Sequence, residues 1–133
     1  MAEAEGTILV VEDNEQNLEL VLYLLEEAGL PVVVARTADE ARSAWRKSLP
    51  RLVLLDMHLP GIDGMSLVRE LRDDPRTSAL PVVAVTAHAM RGDRERFLAG
   101  GCTGYIAKPI QPGTFVDEVR AYLSGGRQEG GRA

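Results

Sequence analysis

The chain of 133 residues predicts an α/β protein, a doubly wound five-stranded parallel sheet with helices on both faces. Three observations lead there. Short apolar runs alternate with stretches of helical period from end to end, the pattern of repeated strand–helix units. The runs Ile8-Leu9-Val10-Val11, Leu52-Val53-Leu54-Leu55 and Val82-Val83-Ala84-Val85 are apolar at every position, as strands covered on both faces must be. Each of these runs is followed at once by an oxygen-bearing side chain: Glu12-Asp13, Asp56 and Thr86 respectively.

The elements follow in order. Strands are expected at Thr7–Val11, Val32–Ala35, Leu52–Leu55, Val82–Val85 and Gly104–Ile106. The first helix carries Leu18, Val21, Leu22 and Leu25 at helical spacing, and Gly29 is suited to the left-handed position that ends it. Thr37-Ala38-Asp39-Glu40 opens the second helix as a reciprocal capping pair, with Ala41 and Trp45 turned to the core. A third helix spans Ser66 to Arg72 and buries Leu67, Val68 and Leu71 before Asp73-Asp74-Pro75-Arg76 breaks it. The fourth, Arg91 to Ala99, has few apolar anchors, a pattern of local weakness. Pro112 suits the first position of the last helix, whose stripe is Phe115, Val116, Val119, Tyr122 and Leu123. Residues 1–6 read as a lead, 7–124 as one domain and 125–133 as a glycine-rich flexible tail.

Composition narrows the function. A chain that is 45% hydrophobic and 26% charged suits one soluble domain. A net charge of -5 disfavours direct nucleic-acid binding, which needs clustered cations. No apolar stretch reaches the roughly 20 residues of a membrane helix, and the acidic start lacks the basic region of a signal peptide, so a cytoplasmic protein is expected. Cys102 is the only cysteine, which excludes internal disulfides and thiolate clusters and suits a small buried role. Two histidines are too few for a zinc site without carboxylate help.

In an open parallel sheet, ligands bind beyond the carboxyl ends of the strands. Glu12, Asp13, Asp56 and Thr86 all stand at such ends. Three carboxylates brought together call for a hard cation with oxygen ligands, and Mg2+ suits them because it takes few carboxylates and keeps several waters. Asp13 or Asn14 alone reads more often as a helix cap than as a ligand, a balance that the conjunction with Asp56 reverses, and Thr86 alone reads equally as a hydroxyl satisfying local backbone. Lys108, directly after the fifth strand, brings a positive charge to the same edge.

Taken together, Glu12-Asp13, Leu55-Asp56-Met57-His58-Leu59-Pro60-Gly61-Ile62-Asp63-Gly64, Thr86-Ala87 and Tyr105-Ile106-Ala107-Lys108-Pro109 resemble the receiver domain of bacterial two-component response regulators. The resemblance spans Thr7 to about Leu123. It implies the flavodoxin-like strand order 2-1-3-4-5 and a phosphorelay in which Asp56 is the phosphoacceptor. Asp13, Asp56 and the backbone carbonyl of His58 would bind Mg2+, with Glu12 acting through a metal-bound water. Thr86 and Lys108 would bind phosphoryl oxygens, and the Lys108-Pro109 bond would be cis. Thr86 and Tyr105 would form the switch that remodels the surface of the fourth helix, fifth strand and fifth helix.

The implied partners are a sensor histidine kinase or histidine phosphotransfer protein and a downstream protein target. The chain would be a signalling switch rather than an enzyme, catalysing only its own phosphorylation and autodephosphorylation, as a monomer or a weak phosphorylation-dependent dimer. The segments Thr86-Ala87-His88-Ala89-Met90 and Glu12-Asp13-Asn14-Glu15-Gln16-Asn17 resemble those of stand-alone relay receivers and of receivers attached to hybrid kinases more than those fused to DNA-binding domains, and a single-domain regulator is expected. His58 and His88 each stand two residues after a site residue, where they would tune the lifetime of the phosphorylated form. Competing readings are a constitutive interaction module with an unused site, an aspartyl-phosphate phosphohydrolase and a flavin-binding module. The hydrolase reading expects a second aspartate where His58 stands, and Glu12-Asp13 would repel a flavin phosphate.

Overall fold

The computed structural model describes residues 6–87 and 91–125; residues 1–5 of the expected lead, His88, and residues 126–133 of the expected tail lie outside the described residues. The order is β1 (Ile8–Val11), α1 (Glu15–Glu27), β2 (Val32–Ala35), α2 (Ala38–Lys47), β3 (Leu52–Asp56), α3 (Gly64–Asp73), β4 (Val82–Thr86), α4 (Arg91–Ala99), β5 (Gly104–Ala107) and α5 (Pro112–Leu123). The five strands form one parallel sheet in the order β2-β1-β3-β4-β5, as expected.

Side chains alternate across the sheet and so feed two cores. Ile8, Val10, Leu52, Leu54, Val83, Val85 and Ile106 pack with Leu18, Val21 and Leu25 of α1 and Phe115, Val119 and Tyr122 of α5. On the other face Leu9, Val11, Val53, Leu55, Val82 and Ala84 meet Trp45 of α2, Leu67, Val68 and Leu71 of α3, and Phe97 of α4. Gly104 on β5 has no room for a Cβ, which would overlap the Tyr122 ring.

Three helices begin on side-chain caps. Asn14 accepts the Asn17 N–H, Thr37 accepts the Glu40 N–H, and Asp63 accepts the Met65 N–H. The reciprocal half of the expected capping pair is shifted by one residue, because the Glu40 carboxylate accepts from the Arg36 N–H at 2.8 Å and not from Thr37. Leu22 is half-buried, whereas the other three predicted α1 anchors are buried.

Three boundaries differ in ways that matter for the site. β3 and β4 run one residue further than expected and include Asp56 and Thr86, because pairing continues through Met57 N–H to Val85 O at 3.2 Å and Lys108 N–H to Thr86 O at 2.8 Å. These two side chains therefore sit on sheet backbone, not on loops. α3 starts at Gly64, before the expected Ser66. A Cβ at Gly64 would lie 2.8 Å from the Met57 backbone, so packing demands a residue that helix propensity argues against.

Arginines tie the periphery. Arg42 of α2 makes a two-pronged bond to Glu70 of α3 at 2.8 and 2.7 Å. Arg72 at the end of α3 donates to the carbonyls of Leu80 at 2.7 Å, Gly101 at 2.9 Å and Ser78 at 3.1 Å, joining the loops before β4 and β5.

Candidate functional site

The sheet register builds the site. Val11 pairs with Leu55, so the next residues, Glu12 and Asp56, emerge side by side at the carboxyl edge. There β1 is flanked by β2 on one side and β3 on the other, which makes this edge the point where strand order reverses. One carboxylate oxygen from each of Glu12, Asp13 and Asp56 lies within 4.8 Å of the others. Glu12 and Asp56 are buried, at 4% and 3% exposure, while Asp13 is open to solvent. An open cleft of about 590 Å³ lies over them, bordered also by His58, Ala87 and Lys108.

Few charges offset this cluster. The Lys108 ammonium lies 3.2 Å from Glu12 Oε1 and 3.4 Å from Asp56 Oδ1. The His58 N–H donates to Asp56 Oδ1 at 2.9 Å, and the Asn14 N–H donates to Glu12 Oε2 at 3.1 Å. Burial, then the close approach of the Asp56 carboxylate, push the Glu12 carboxyl above its ordinary range; the Asn14 N–H and Lys108 only partly offset that. The donor set is all oxygen, crowded and short of positive charge, and it fits a hard divalent cation such as Mg2+.

Thr86 is fully buried, and its Oγ1 lies 3.3 Å from Nε2 of the exposed His58 ring. Tyr105 is half-buried on the α4 face of β5, with the Arg94 guanidinium 5.1 Å from its ring centroid. The Lys108-Pro109 bond is cis. Glu12, Asp13, Asp56, His58, Thr86 and Lys108 are thus gathered at one edge, and Tyr105 stands behind Thr86 in the sheet. Sequence reasoning missed the Asn14 N–H on Glu12, the His58 ring on Thr86 and Arg94 on Tyr105. An Asn directly after an acidic pair is a local signal for the first; the others arise only when separate segments meet.

A family model described as the response regulator receiver domain matches residues 8–120. The polar-differentiation response regulator DivK of Brucella ovis is 40% identical over 117 residues, which cover 88% of this chain and 95% of the relative. Among solved structures, a response regulator from Chloroflexus aurantiacus superposes with a TM-score of 0.83 at 32% identity, covering 90% of this chain and 98% of that one. The receiver domain of a sensor histidine kinase from Pseudomonas aeruginosa, solved with a magnesium ion in its active-site cleft, gives a TM-score of 0.79 at 31% identity, covering 92% and 99%. With its acidic cleft at the sheet's switch point, the chain belongs to the response regulator receiver domain family, the signalling switches of two-component systems.

Proposed function

We propose that residues 7–124 form a phosphoacceptor receiver, in which Asp56 takes a phosphoryl group from a phosphohistidine on a sensor histidine kinase or histidine phosphotransfer protein. One observation carries this reading: Asp56 is buried at the base of an acidic cleft with an ammonium 3.4 Å away. An Asp56 carboxylate oxygen attacks phosphorus, an acyl phosphate forms, and the P–N bond to the donor imidazole breaks. The electron pair of that bond stays on the imidazole nitrogen, which takes a proton.

The chain's own groups position and compensate charge. Lys108 exchanges its hold on Glu12 and Asp56 for a phosphoryl oxygen, and the Thr86 hydroxyl supplies a second donor. Asp13, Asp56 and the His58 carbonyl would hold Mg2+, with Glu12 acting through water; the donor set here and the magnesium in the Pseudomonas relative support this assignment. The ion supplies charge neutralisation between the carboxylates and the incoming phosphoryl oxygens. His58, through its ring contact with Thr86, tunes the lifetime of the product. His88 is proposed to share that role on its position in sequence alone.

The added charge of about -1.5 to -2 draws the Thr86 hydroxyl toward Asp56, and Tyr105 follows into the space beside it. That movement remodels α4, β5 and α5 for a downstream protein target. The chain works as a monomer or weak phosphorylation-dependent dimer and turns over no external substrate. The test is intact mass after incubation with acetyl phosphate, with and without magnesium. A magnesium-dependent gain of one phosphoryl group, absent in Asp56→Asn, is expected. No gain from acetyl phosphate or from a histidine kinase would favour the constitutive interaction module.

A further inference from the structure

The Arg94 guanidinium of α4 stands over the Tyr105 ring of β5. Its 5.1 Å separation is a cation–π distance. Ala84 pairs with Tyr105 and Thr86 pairs with Ala107. Paired residues of parallel strands face the same way, so Thr86 and Tyr105 are diagonal neighbours on the face that α4 covers. α4 is thinly held there. Among its described side chains Phe97 is the buried one, Gly92, Arg94, Glu95, Arg96 and Ala99 are exposed, and the Asp93–Arg96 pair lies within the helix.

We propose that Arg94 is a positioning residue for the switch, holding the Tyr105 ring against α4 in the resting protein and thereby opposing uptake of a phosphoryl group at Asp56. This rests on the function proposed above. A ring that turns toward Thr86 leaves the face of the guanidinium, so the contact belongs to the resting arrangement alone. Whatever favours the rearranged state must overcome it, and the coupling is reciprocal between the two ends. A partly exposed cation–π contact corresponds to about a two- to fivefold shift in such an equilibrium. Arg94 does not border the acidic cleft, so its effect on binding there cannot be direct.

The test titrates the full chain with beryllofluoride at saturating magnesium, followed by calorimetry and by the NMR shifts of the Tyr105 ring. Arg94→Met is expected to bind about two- to fivefold more tightly than the native chain. Its Tyr105 resonances without beryllofluoride should already move toward the bound positions. Arg94→Lys should fall between, since it keeps the charge and loses the planar stack. Tyr105→Phe keeps a ring and should preserve the effect of Arg94→Met, whereas Tyr105→Leu should abolish it. Native affinity in Arg94→Met, or an undiminished effect in the Tyr105→Leu background, overturns the inference. The underlying reading fails separately, and takes this inference with it, if the native chain binds no more beryllofluoride than Asp56→Asn.

Discussion

Glu12 shows how far one residue can be asked to serve a site at the expense of the fold. It is 4% exposed, crowded against the Asp56 carboxylate and raised above the ordinary carboxyl range, a combination that destabilises the native state without a cation. Glu12→Gln keeps the shape and removes the charge. It should raise metal-free stability by about 1 kcal/mol, the scale of one like-charge contact near solvent. Urea unfolding in EDTA checks this, and a lower midpoint than the native chain would count against it. Glu12, Asp13, Asp56, Thr86 and Lys108 were legible in the sequence because each follows or ends an apolar run. The Nε2 contact of His58 with Thr86 was not, because it joins a loop residue to the end of a strand 28 residues away through a side-chain rotamer.

Arginines join elements across the periphery of the fold. Arg72 satisfies carbonyls in two connections at once, so Arg72→Gln should cost about 2 kcal/mol, the range for hydrogen bonds to a charged donor. A urea titration reads the loss directly. The Arg42–Glu70 fork is more exposed, with side chains 23% and 40% accessible, and solvent screening limits it to roughly 1 kcal/mol or less. Arg42 holds the Glu70 carboxyl below its ordinary value, so the contribution is full above pH 4.5 and disappears as pH falls through the lowered folded value. The difference in urea midpoint between the native chain and Glu70→Gln should be largest at pH 7 and shrink at pH 3. Element type was legible throughout because apolar period survives any packing detail. The early start of α3 was hidden, since Gly64 is chosen for the space beside Met57 and not for its helical preference.

At the scale of the molecule, the fold carries its acidic cluster on the ends of the interior strands β1 and β3, so occupancy of that cluster and stability are linked. A ligand present at about 100 times its dissociation constant adds about 2.7 kcal/mol to the native state. Magnesium should raise the thermal midpoint of the native chain, and Asp13→Asn should blunt that rise. An equal rise in both would remove Asp13 from the ligand set. Strand order was legible only through resemblance to a family, because no local signal says which strands are neighbours. The faces followed from alternation once that order was given.

Cys102 has a use that its burial conceals. The thiol is fully enclosed between α4 and β5, and burial pushes it up to about 11 despite the nearby Arg72. At pH 8 an alkylating reagent can therefore react only when this corner opens. The rate of labelling becomes a clock for local unfolding around α4, written into the native sequence with no engineered probe and readable by mass alone. Arg72→Gln should speed it, because the carbonyl of Gly101 next door loses its anchor.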